Sequence, residues 1–163
     1  MPGRAVFAAT LAVALLFAGW TQAAPARPAR TITDPATFVA GVYKRLATDR
    51  NYAPPSDVYT PRLKAYWADM ERDAKGEVGR VDFEFWTNAQ DWELKNVKVT
   101  TAPVEGNAGR KIVIAKFDNG DSPEEIRFYF ERVGPRWLLD DARSVGKQAW
   151  TLSLILKYGW DGQ

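Results

Sequence analysis

The hydrophobic period of this chain changes once, and that change decides what it can fold into. Between residues 34 and 76 apolar side chains recur at helical spacing, whereas from residue 93 onward they alternate with polar ones. Helices first and strands second predict an α+β domain, with helices layered on a sheet. Asp34-Pro35 supplies a helix start, Asp as N-cap and Pro at the first helical position. Phe38, Val39, Val42, Tyr43 and Leu46 then line one face. Thr60-Pro61 is a second start, after which Leu63, Tyr66, Trp67 and Met70 form an apolar stripe that Gly76 is expected to end.

The strands that follow are separated by tight turn signals. Gly106-Asn107-Ala108-Gly109, Asp118-Asn119-Gly120-Asp121 and Gly134-Pro135 divide segments 97–101, 111–117, 126–131 and 137–139. Connections this short predict an antiparallel four-stranded meander. The last segment, Trp150 to Tyr158, fits a strand by alternation. Its leucines, with Thr151 as a possible cap and Gly159 as a stop, favour a short helix. In segment 111–117 both faces are apolar, Ile112/Ile114 on one and Val113/Ala115/Phe117 on the other. A strand apolar on both sides asks for cover on both sides, so a homodimer joined through the sheet's outer face is an expectation.

Ahead of the domain, residues 1–23 read as a secretory signal peptide. Arg4 provides the positive end, Ala5 to Gly19 is an apolar run of 15 residues, and cleavage follows Ala23 or Ala26. A spanning helix needs roughly 20 residues, so no membrane span is expected after cleavage. Residues 24–33 read as a flexible tether and 34–160 as a single domain. Removal of Arg4 leaves 21 basic against 20 acidic groups, which is no footprint for nucleic acid. Export without a single Cys points to a periplasm.

The same composition narrows the chemistry. With no His and no Cys, triads built on imidazole, thiolate nucleophiles and His- or Cys-ligated metals are excluded, and no cofactor or metal is expected. The densest polar-aromatic stretch is Arg80 to Trp92, where Asp82, Asn88, Gln90 and Asp91 sit among Trp86 and Trp92. Amides and carboxylates hemmed by indoles suit a pocket mouth; they equally suit an Asx turn before the first strand. A second candidate is Asp141 in Trp137-Leu138-Leu139-Asp140-Asp141. If Trp137 and Leu139 face the core, alternation turns Asp141 inward and Asp140 to solvent. An inward carboxylate needs a partner, either Arg127, Arg143 or backbone N–H groups.

The run Asp82-Phe83-Glu84-Phe85-Trp86-Thr87-Asn88-Ala89-Gln90-Asp91-Trp92 resembles the central motif of the domain of unknown function 3828 family. Tyr59-Thr60-Pro61-Arg62-Leu63 before it and Trp137 to Asp141 after it fall in matching order. Glu84 stands where the family has Asp, and Phe85 where it has Pro. The resemblance implies a cone-like fold of the nuclear-transport-factor-two-like superfamily, with a curved sheet, in exported bacterial proteins. It carries over no catalytic residue.

Two readings of function follow. One is a non-catalytic periplasmic domain that binds a small ligand or an envelope protein through Asp82, Trp86, Asn88, Gln90, Asp91, Trp92 and Asp141. The other is a proton-transfer enzyme of isomerase, cyclase or dehydratase type with Asp82, Asp91 or Asp141 as base. An immunity or accessory protein is a third class.

Overall fold

A computed structural model describes residues 30–146 and 148–162. The expected leader over 1–23, and all but the end of the tether over 24–33, lie outside the described residues. Among these residues no helix is long and apolar enough to cross a membrane.

Two helices come first, α1 (Pro35–Leu46) and α2 (Pro61–Ala74). Both begin where local chemistry dictates. Asp34 Oδ2 accepts from the Thr37 N–H at 2.9 Å, and Thr60 Oγ1 accepts from the Leu63 N–H at 3.2 Å. Each cap satisfies a donor that the first helical turn leaves open. Helix α2 ends one residue earlier than Gly76 suggests, with Lys75 itself in the left-handed region at φ 51°.

The sheet is a fully antiparallel meander in sequence order: β1 (Leu94–Pro103), β2 (Arg110–Asn119), β3 (Ser122–Val133), β4 (Arg136–Ser144) and β5 (Trp150–Thr151). It has five strands, not four. The ambiguous last segment contributes a two-residue strand against β4 and then a short helix, α3 (Leu152–Tyr158). Alternation therefore governs its first two residues and helical spacing the rest. Beyond the main ladder, Trp137 N–H donates to Ile32 C=O and Leu139 N–H to Val58 C=O, both at 2.9 Å. Those strap-like segments occupy the free side of β4, which would otherwise offer unpaired backbone.

The core lies between the helices and one face of the sheet. Val113, Ala115, Ile126, Phe128 and Leu139 have no exposed surface and meet Val39, Leu63, Leu152 and Ile155, which also have none. At its centre Trp86 stacks on Phe128 with ring centroids 4.3 Å apart and meets Phe38 and Tyr43 edge-on. On the outer face Ile112 lies opposite Tyr129, and Ile114 opposite Arg127. Cross-strand neighbours with long side chains half-cover both isoleucines.

A bulge in β4 changes which way its acids point. Leu139 pairs with Phe130 and Asp141 with Tyr129, so Asp140 is the extra residue between them. The inserted residue reverses the alternation. Asp141 therefore lies on the Tyr129 face, opposite the core-facing Leu139, which corrects the face expected for it; it is nevertheless buried, 7% exposed, against the start of the last helix. Asp140 does not simply meet solvent either. Its side chain is 18% exposed and is gripped by Arg62 and Thr60.

Candidate functional site

The stretch from Arg80 to Trp92 folds as a tight turn before β1. Glu84 N–H donates to Ala89 C=O, Thr87 N–H donates to Glu84 C=O, both at 3.0 Å, and Asn88 takes a left-handed φ of 55°. Asn tolerates that region better than most residues, which explains its place at the turn. The polar side chains then disperse. Asn88 Nδ2 donates to Glu124 Oε2 at 3.0 Å, and its Oδ1 accepts from the Trp150 indole at 2.6 Å, tying the turn to β3 and β5. Trp92 Nε1 donates to Leu46 C=O at 2.9 Å, at the open end of α1. Asp91 is 95% exposed and holds Arg50 at 3.3 Å; Gln90 donates to the Asp82 carbonyl at 3.2 Å. Asp82 is exposed.

Asp141 belongs to a different place altogether. Its Oδ1 accepts from the backbone N–H of Ala142 and of Ser153, and its Oδ2 accepts from Ser153 Oγ at 2.6 Å. Thr151, the N-cap of α3, makes no side-chain cap bond to that helix. A carboxylate from β4 supplies the acceptor instead, with the sign of charge that a helix N-terminus favours. Of the partners foreseen, backbone N–H groups are the ones used, and neither Arg127 nor Arg143 bonds it. Gln90, Asp91 and Asp141 do not meet in one hollow. What Asn88, Gln90, Asp91, Trp92 and Asp141 share is a fastening role.

One hollow is reached from Trp86 in another direction. A cavity of about 530 Å³ lies between the 53–59 loop, the outer turns of α2 and the 84–86 turn. Its walls include Tyr59, Trp67, Phe85 and Trp86, and its polar members are Asp57, Lys64, Glu71 and Glu84. Of the candidate site residues chosen from the sequence, only Trp86 lines it.

Three buried polar atoms on these wall residues have no hydrogen-bond partner: Asp57 Oδ1, Trp67 Nε1 and Trp86 Nε1. The Trp86 indole sits close enough to the Tyr59 phenol to influence it without completing a hydrogen bond. Each unmade bond at a buried group costs roughly 1–3 kcal/mol. Such groups are rare in native interiors, and only one other, Ser144 Oγ, occurs among the described residues. The first three belong to residues around one cavity, but each exposes under 1 Å² and is closed off from it.

Glu84 is one of the titratable groups of this cavity. Its Oε1 accepts from Trp86 N–H at 3.1 Å, which favours the charged form. Burial outweighs that bond and holds the carboxyl above its ordinary value of 4.5. Tyr43 and Tyr59 feel the same environment. Burial first, and then the Glu84 charge, raise both phenols, so both stay protonated. Tyr43 OH donates to the Trp86 carbonyl at 2.6 Å and so fixes the turn that carries Glu84.

Glu84, Asp57 and Trp67 were not among the candidate site residues chosen from the sequence. An acid placed between Phe83 and Phe85 was the available signal for Glu84.

A second cleft of about 530 Å³ on the sheet's outer side contains Asp140 and Asp141 with Arg62, Lys111, Tyr129 and Arg143. Its charges are already engaged. Arg62 holds Asp140 at 2.8 Å, Lys111 lies over the Trp137 ring, and Arg143 over the Tyr129 ring. No three His, Cys, Asp or Glu side chains are grouped to hold a metal among the described residues. Comparison with family models, curated proteins and solved structures finds no match for this chain.

Proposed function

We propose that this is an exported, periplasmic, non-catalytic domain that takes a small ligand into the cavity walled by Tyr59, Trp67, Phe85 and Trp86. The observation that carries this reading is the hollow of about 530 Å³ itself, with Tyr59, Trp67 and Phe85 on its walls and Asp57, Lys64, Glu71 and Glu84 as its polar members. Binding sites combine an apolar body with a few polar groups, and this hollow has both. The resemblance to the domain of unknown function 3828 family, and with it a cone-like sheet, is part of this proposal. So is the homodimer through Ile112 and Ile114, which sedimentation at micromolar concentration tests.

A small-molecule library screened by calorimetry tests the binding reading. Hits are expected to lose about tenfold or more in affinity in Trp67→Ala, which removes the half-buried indole wall. They are expected to be indifferent to Asp91→Ala. Hits that depend on Gln90 and Asp91 but not on Trp67 would contradict it.

One observation favours a second reading, proton transfer in the same cavity. Glu84 is a half-buried carboxyl that burial raises above its ordinary 4.5, the direction of shift that general acid or base work requires. Asp82 and Asp91 are exposed and Asp141 is committed to α3, so this chemistry rests on Glu84. Turnover of a carbon acid that disappears in Glu84→Gln would favour it over simple binding.

A further inference from the structure

One edge of the sheet is closed and the other is open. At the β4 end, Ile32, Val58 and β5 take up backbone groups that the main ladder leaves free. At the opposite end β1 pairs with β2 alone, and among the described residues the backbone of 94–103 has no other backbone partner. No side chain of β1 is buried. Such a row of free N–H and C=O groups is a template for a further strand. We infer that a second copy of this chain supplies it, the two β1 strands pairing antiparallel so that two five-stranded sheets continue as one.

The sequence of β1 chooses both the occupant and the register. Lys95, the irregularity that follows it and Lys98 blunt the first half of the strand against indiscriminate pairing. From Lys98 to Pro103 the ladder is regular, and Val99, Thr100, Thr101 and Ala102 carry no charge. A two-fold axis normal to the sheet makes one residue face its own copy. Pro103 has no N–H to give, which leaves 98–102 with Thr100 at its middle. With Thr100 opposite Thr100, Val99 meets Thr101 and Lys98 meets Ala102, so no like charges face each other. The two Lys98 side chains then stand four residues apart along the strand, roughly 13 Å, beyond the screening length in physiological salt. Val99 shares the core face with its neighbour Ala115 and is only half-buried; the second copy's Thr101 extends its cover.

Sedimentation at micromolar concentration is expected to show a dimer, and cross-linking locates its axis. The chain has no Cys, so Thr100→Cys and Lys98→Cys each carry a single thiol at an exposed position of the same strand. Under diamide Thr100→Cys is expected to link about tenfold faster or more, because directly opposite residues lie within disulfide reach and the two Lys98 positions do not. Thr100→Lys and Thr100→Glu are each expected to weaken the dimer about tenfold, and an equal mixture of the two to restore it. Restoration on mixing separates a lost contact from a lost fold. A monomer leaves the edge to a strand of some other protein and overturns the assignment. A dimer that links equally at both positions, or fastest through Ile112→Cys on the outer face, overturns it in favour of pairing through that face.

Discussion

Two regions of this molecule bury carboxylates beside aromatic rings, and they treat them in opposite ways. On β4, Asp140 and Asp141 are saturated. Asp140 takes Arg62 Nε at 3.1 Å, Arg62 Nη2 at 2.8 Å and Thr60 Oγ1 at 2.8 Å, while Asp141 takes three donors around the start of α3. Around the cavity, Glu84 has one backbone donor, and Asp57 leaves an oxygen unpaired. Burial alone would raise Asp140, but its bonds to Arg62 and Thr60 prevail and hold it below its ordinary value. Glu84 lies above its own, because burial wins there. Burial is common to both regions; donor supply is what differs. Donors outweigh burial at Asp140, and at Glu84 they do not.

The sharpest way to break this contrast is to remove the best-satisfied acid. Asp141→Ala strands the Ser153 N–H and hydroxyl at the start of α3 and is expected to cost about 3 kcal/mol in chemical denaturation. A loss within 0.5 kcal/mol would show that α3 does not depend on this cap. Next in size is the coupling between Arg62 and Asp140. A double-mutant cycle with Arg62→Met and Asp140→Asn is expected to return about 1 kcal/mol, high for a partly exposed pair because the grip is two-pronged. A coupling near zero would place Asp140 among ordinary surface acids.

A smaller effect with a definite sign comes from pH. Glu84 has a native pKa above that of the unfolded chain, so the native state holds its proton more tightly. Its contribution is full below the unfolded value and is lost as pH rises through the native one. Asp140 runs the other way, contributing above the unfolded value and losing that contribution as pH falls through its lowered native one. Glu84→Gln is therefore expected to gain stability relative to the parent as pH rises above 4.5. The groups set around Glu84 are Tyr59, Asp57, Lys64 and Glu71 in the cavity and Tyr43 behind it, with Glu124 acting on Tyr43. Both phenols stay protonated through this window, leaving the carboxyl as the group that moves. Parallel stability profiles for parent and variant would contradict the assignment. Smallest of all is Asp91→Ala, expected within 0.5 kcal/mol because the side chain stands 95% exposed.

How much of this was legible beforehand follows the range of the interactions. The caps of α1 and α2 are set by residues three apart, and both Asp34 and Thr60 behave as their neighbours dictate. The meander was legible because its turns are short. The orientation of Asp141 was not, because a single inserted residue at Asp140 reverses the pleat and local alternation carries no sign of it. The fifth strand is two residues long, below what any period can register. The cavity was hidden for a further reason. Residues 57, 67 and 84 converge only after α2 has packed beside the 84–86 turn, and no spacing along the chain announces that meeting. The turn's polar residues were visible, but visibility to the eye reflected density in the sequence. Once folded, Asn88, Gln90 and Trp92 spend their polar atoms on Glu124, Trp150, Asp82 and Leu46.

Site-resolved titration of the side-chain carboxyls by carbon-13 NMR tests the contrast most directly. Glu84 is expected to titrate above 4.5 and Asp140 below 3.8 in the same sample. Glu84 at or below 4.5 would mean that its carboxylate already has the donors it needs, and the contrast between the two regions would fail.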